Sequence, residues 1–173
     1  SITGLHTRPK KVDYYKDRYS VIRRELYAHA VRIEAGNVTL LKDMSFVFIC
    51  IDNGRAKQAI ISYLHKHKIS FVDVGMGIME VDGKLLGSLR TTTSTGENHS
   101  HIDNYSRIDF SADDDEINEY DTNIQIVELN ALNAAQAVIK WKKLAEFYQD
   151  LENEHQSVYS INDNKVVNSD NSE

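Results

Sequence analysis

Residues Phe46 to Ile78, FVFICIDNGRAKQAIISYLHKHKISFVDVGMGI, constrain this chain more than any other stretch, because they read as strand, helix, strand with an acidic turn after the first strand. Phe46 to Ile51 is continuously apolar and rich in Phe, Val and Ile, the pattern of a strand covered on both faces. It stops at Asp52-Asn53-Gly54. In an open α/β sheet, ligands bind outside the carboxyl ends of the strands, so a carboxylate at this turn is aimed at a bound molecule or metal. The competing reading is local: Asp52-Asn53 caps the next helix, since Asx residues are common helix starters.

The chain has 173 residues and ordinary globular composition, which fits one domain with a genuine core. A formal net charge of -6 argues against a general nucleic-acid binder, which needs a basic face to displace counterions from phosphates. The single cysteine, Cys50, lies inside the apolar strand, where burial is expected to make it inert, and it excludes both an internal disulfide and a Cys-x-x-Cys zinc site. A reducing, cytoplasmic setting fits that usage. No apolar run approaches a membrane span. The chain begins at Ser1 rather than Met, which reads as a processed or partial sequence.

Pro9 suits the first turn of a helix from about Lys10 to Leu26, with Val12, Tyr15, Tyr19, Val21, Ile22 and Leu26 as an apolar stripe packed on a sheet. Ala30 to Glu34 reads as a short strand. A second helix is expected over about Gly54 to His67, and a strand from Ile69 to Val74 leading into a Gly75-Met76-Gly77 loop, a second candidate site wall. Met79 to Val81 and Lys84 to Thr93 form a hairpin about Asp82-Gly83. About 94–123 is polar and reads as a surface excursion or lid. From about Ile124 to Asn153 runs the longest expected helix, with Val127, Ala131, Ala134, Val138, Trp141, Ala145 and Tyr148 on one broad buried face. Residues 161–173 read as a disordered tail.

Two histidine pairs, His65-x-His67 and His99-x-His101, have metal-like spacing. On a helix, however, two-residue spacing splays the rings apart, and a zinc site needs a closed ligand set that this sequence does not offer. The acidic run Asp113 to Glu116 lacks the alternating ligands and glycine of a calcium loop.

The order RPKKVDYYKDRYSVIRREL, then FVFICIDNGRAKQAI, then a strand ending in Gly-Met-Gly resembles the ThiF/MoeB-type adenylyltransferase family, relatives of ubiquitin-activating enzymes. The likeness covers residues 1 to about 93, together with the long carboxyl-terminal helix. It implies an α/β, Rossmann-like open sheet with mainly parallel strands, an added antiparallel hairpin and a long C-terminal helix, with residues 1–160 as a partial adenylation domain. It implies that Lys11, with adjacent Lys10 as rival, neutralises phosphate oxygens of ATP, that Asp52 holds Mg²⁺, and that Asn53 and Lys57 contribute to the nucleotide site. Lys57 stands where the family usually carries Arg.

The implied reaction is attack by a protein's terminal carboxylate on the α-phosphorus of ATP. It needs no general base, only positioning and charge neutralisation. The implied partners are a ubiquitin-like or sulfur-carrier protein and a second subunit, in a homodimer or heterodimer. The family's Gly-x-Gly-Gly-x-Gly loop is not in this chain, so the expectation is a carboxyl-terminal part, inactive alone. The alternative is a non-catalytic scaffold or partner subunit. An NAD-dependent enzyme would need a Gly-x-Gly-x-x-Gly fingerprint that is also missing.

Overall fold

The computed structural model describes residues 9–110 and 126–169, and the chain divides into two compact units, Ser1–Ile33 and Glu34–Glu173. In the first unit, helix α1 (Lys11–Tyr19) is shorter than expected and buries none of its residues, so its tyrosine stripe is not a core face. The Ser20 N–H closes it on the Lys16 carbonyl, and Val21 and Ile22, β-branched and poor helix formers, follow. Ala30 to Glu34, expected as a strand, has no regular structure.

The second unit is built on a five-stranded sheet in sequential order: β1 (Phe46–Ile49), β2 (Ser70–Val81), β3 (Lys84–Ser94), β4 (Gln156–Ser160) and β5 (Lys165–Ser169). Among the described residues only β1 and β2 are parallel; every other pair is antiparallel. The expected Rossmann-like, mainly parallel sheet is therefore incorrect. A parallel pair needs a crossover connection, and α2 (Gly54–Lys66) supplies one. The next connection is the two-residue turn Asp82-Gly83, whose φ angles of 51° and 71° are those of a type I′ turn and send the chain straight back.

Further differences follow from the same sheet. Gly75-Met76-Gly77 is not a loop: β2 runs through it without a break and joins the expected Met79 to Val81 strand. Residues 165–169, expected to be disordered, pair with β4 as β5. The polar segment after β3 opens with helix α3 (Ser100–Asn104), and His101, Ile102, Arg107 and Ile108 in its described part are buried. The acidic run 113–116 lies outside the described residues. No described helix is long and apolar enough to cross a membrane.

Helix α4 (Val127–Leu144) buries Asn133, Ala137 and Lys140, not the apolar stripe read from the sequence. Val127, Leu132, Val138 and Ile139 are exposed. Two of the three buried residues are polar because each satisfies a buried partner: Asn133 Nδ2 donates to the Gly75 carbonyl of β2 at 3.0 Å, and Lys140 Nζ reaches the Glu154 carbonyl at 2.9 Å. Trp141 meets Phe46 and Phe48 of β1, with ring centroids 6.4 and 6.0 Å away.

Glu154 ties α4 to the approach to β4. Its carboxylate receives Lys140 Nζ at 2.5 Å and Lys143 Nζ at 2.8 Å, and Lys143 also reaches Asp150 at 3.1 Å. Burial alone would raise the Glu154 pKa, but the bonds from Lys140 and Lys143 outweigh it and bring it down to about 2. The unfolded carboxyl titrates near 4.5, so this contribution to stability is complete above that pH and is lost as pH falls toward 2. Glu154→Gln, which strips the charge from a buried cluster, is expected to cost about 3 kcal/mol in urea denaturation at pH 7 and to flatten the acid limb of stability against pH.

Candidate functional site

Beyond Ile49 the chain leaves the sheet, so β1 pairs only with Ser70 to Asp73, and the rest of β2 extends past it. At this step lies a hollow of about 690 Å³, lined by the residues that follow β1 (Cys50, Ile51, Asp52), by Lys57, by Val74 to Ile78 and by Arg90. Asp109, Asn130 and Asn133 close other sides. The volume falls within the range of about 300–1,000 Å³ common to small-molecule sites.

The expected site residues take different roles here. Asp52 is exposed and lines the hollow. Asn53 is the helix cap of the competing reading: its Oδ1 accepts the Ala56 N–H at 2.9 Å, ahead of the first turn of α2. Lys57 lines the hollow but is buried, its ammonium 3.1 Å from Asp73 Oδ1 and 3.4 Å from Oδ2. Lys11 opens α1 of the first unit, whereas the lining residues all belong to the second. Gly75, Met76 and Gly77 line the hollow as strand residues. Among the described residues no group of three or more His, Cys, Asp or Glu is placed to hold a metal. Mg²⁺, which binds through one or two carboxylates plus water and phosphate, does not require such a group.

Two residues that sequence reasoning passed over form an ion group at this site: Arg90 lines the hollow, and Asp73, buried behind the lining, pairs with it. Asp73, in the middle of β2, is fully buried and shared by Lys57 and by Arg90, whose Nη2 lies 2.6 Å from Oδ2. The signal was present in FVDVG: a lone carboxylate inside an apolar strand must find a cation when it is buried. Cys50, expected to be buried, is exposed at the rim. Desolvation of its thiol and the nearby Asp73 carboxylate raise its pKa, which keeps it protonated and a poor nucleophile.

The histidines pair across elements rather than along the sequence. His65 stacks near His99 at 4.9 Å and lies 3.1 Å from Ser94 Oγ, while His101 faces His155 at 5.2 Å. Arg107 donates to His101 Nδ1 at 3.1 Å, which requires that nitrogen to be an acceptor and the ring to be neutral. Burial, then Arg107 and His155, lower the His101 pKa to about 4 against an opposing contribution from the Thr93 backbone. Burial also lowers His65 and His155.

Comparison with protein-family models and with curated proteins finds no match. Among solved structures, the crystal structure of selenomethionine PaaA is similar, with a TM-score of 0.58 and 15% identity. The match covers 92% of this chain and 55% of PaaA, so the chain spans about half of that protein's length. At that identity the likeness concerns the fold alone.

The histidine group generates a pH prediction. Unfolded His101 binds its proton near 6.5 and the folded one near 4, so its contribution to stability is complete above pH 6.5 and declines as pH falls to 4. Urea midpoints measured from pH 8 to 4 are expected to fall over that window in the wild-type chain and to fall less in His101→Gln.

Proposed function

We propose that the hollow at the end of β1 binds the phosphates of ATP, and that this chain is part of an adenylyltransferase acting on the terminal carboxylate of a small ubiquitin-like or sulfur-carrier protein in the cytoplasm. The observation that carries the reading is the shared lining of one ligand-sized hollow by Asp52 and Lys57, a carboxylate and a cation that the strand and helix bring together at the strand's carboxyl end. Asp52 would hold Mg²⁺, which supplies charge neutralisation at the phosphates. Lys57, in the first turn of α2, adds a positive charge beside the helix end whose dipole favours anions. Lys11, the phosphate-neutralising lysine that the resemblance implies, belongs to the first unit and is not among the residues that line the hollow. Asn53 acts by holding the helix start in place.

The attacking carboxylate arrives ionised, and its oxygen forms the new bond to the α-phosphorus as the bond to pyrophosphate breaks. The chain's own contribution is to position and neutralise. The second reading is a non-catalytic scaffold that pairs with an active subunit. It is favoured by the apolar residues that α4 leaves exposed, Leu132, Val138 and Ile139, which suit a homodimeric or heterodimeric contact.

Cys50 gives a direct assay, being the chain's one cysteine and standing at the rim of the hollow. Mg·ATP at ten times its dissociation constant is expected to slow alkylation of Cys50 roughly ten-fold, and Asp52→Ala is expected to abolish the protection. An alkylation rate in wild type that millimolar Mg·ATP leaves unchanged would sink the nucleotide reading and leave the scaffold.

A further inference from the structure

We infer that Arg90 is the group that grips phosphate oxygens in this hollow, and that Asp73 and the bare backbone of Gly75 position it; the inference rests on the nucleotide reading above. Across the β2–β3 ladder Arg90 stands opposite Gly75, not Asp73. Its side chain therefore runs diagonally over Gly75 to reach the carboxylate two residues back. A Cβ added to Gly75 would lie 2.8 Å from Arg90 Nη2 and 3.3 Å from Cζ, so the guanidinium occupies the space that the absent side chain leaves.

Two bonds fix the plane of the fork: Nη2 to Asp73 Oδ2 at 2.6 Å and Nη1 to Thr92 Oγ1 at 2.8 Å. A guanidinium carries five N–H donors, so these bonds leave three. The Arg90 side chain is 20% exposed, and the residue lines the hollow beside Lys57.

Charge specifies the ligand. Lys57 and Arg90, which both line the hollow, share the single buried carboxylate of Asp73, so this ion group carries one net positive charge. Asp52 lines the same hollow, so it offers cations and a carboxylate together, the combination that suits a metal-bound polyphosphate better than a bare anion. An oriented guanidinium fork holds phosphate through two parallel bonds, whereas a lysine offers a point charge. In this arrangement Lys57 neutralises and Arg90 orients. Asp73 does not touch the ligand; it holds the fork at the correct angle.

The test is calorimetric titration of the full chain with inorganic tripolyphosphate in Mg²⁺ and with adenosine, in wild type, Arg90→Lys, Gly75→Ala and Asp52→Ala, with urea midpoints for each. Arg90→Lys keeps the charge and loses the fork, and Gly75→Ala keeps the fork and displaces it. Both are expected to weaken tripolyphosphate about ten-fold while leaving adenosine binding unchanged. If both variants bind tripolyphosphate within about two-fold of wild type while Asp52→Ala loses it, the pair is merely structural and the inference falls, but the nucleotide reading stands. If wild type itself binds no tripolyphosphate, both fall. Because Gly75→Ala leaves every charge in place, a folding failure in Arg90→Lys does not block the decision.

Discussion

A carboxylate fully buried in the middle of a sheet is the constraint around which the second unit is arranged. Asp73 sits where β2 passes from its pairing with β1 to its exposed extension, and an unpaired charge there would cost several kcal/mol. Two elements answer it from two sides: Lys57 from the first turn of α2, and Arg90 from β3. The ion group thereby ties together the crossover helix and the hairpin, the parallel and the antiparallel portions of the fold. Replacing the group with apolar residues of similar volume would preserve the packing but erase the polarity of the hollow.

The parts of this arrangement that were legible in the sequence are those set by local chemistry. The apolar run at Phe46, the Asx cap at Asn53 and the Asp-Gly turn each encode their own geometry within a few residues. The hairpin was correctly anticipated for that reason. What could not be read was continuity: two glycines in Gly75-Met76-Gly77 suggested a break, yet β3 pairs along the whole stretch and holds it extended. Tertiary pairing overrides the local weakness of glycine in a strand, and the register with Arg90 explains why one of those glycines is there.

Helix α4 misled in the opposite direction. Its alanine-rich stripe has the spacing of a buried face, but hydrophobic periodicity reports which side of a helix is apolar, not which side finds a neighbour. The side that packs is selected by Asn133 and Lys140, each of which satisfies a backbone carbonyl that would otherwise be stranded. That leaves apolar area on the other side exposed.

The same reasoning bears on the acidic turn. The rule that carboxyl ends of strands face ligands belongs to open, mainly parallel α/β sheets, which this sheet is not, so what remains for Asp52 is a local step beside the one parallel pair among the described residues. Here β1 ends after Ile49 and β2 runs on for eight more residues past Asp73, so the step that opens a crevice exists although the sheet beyond it is antiparallel. The single parallel pair is enough to build the hollow. The antiparallel hairpin then adds what a parallel neighbour in this place would have to supply differently: β3 delivers Arg90 across the ladder onto the bare backbone of Gly75, at the depth of Asp73. The departure from the expected topology is thus what equips the hollow with its second cation.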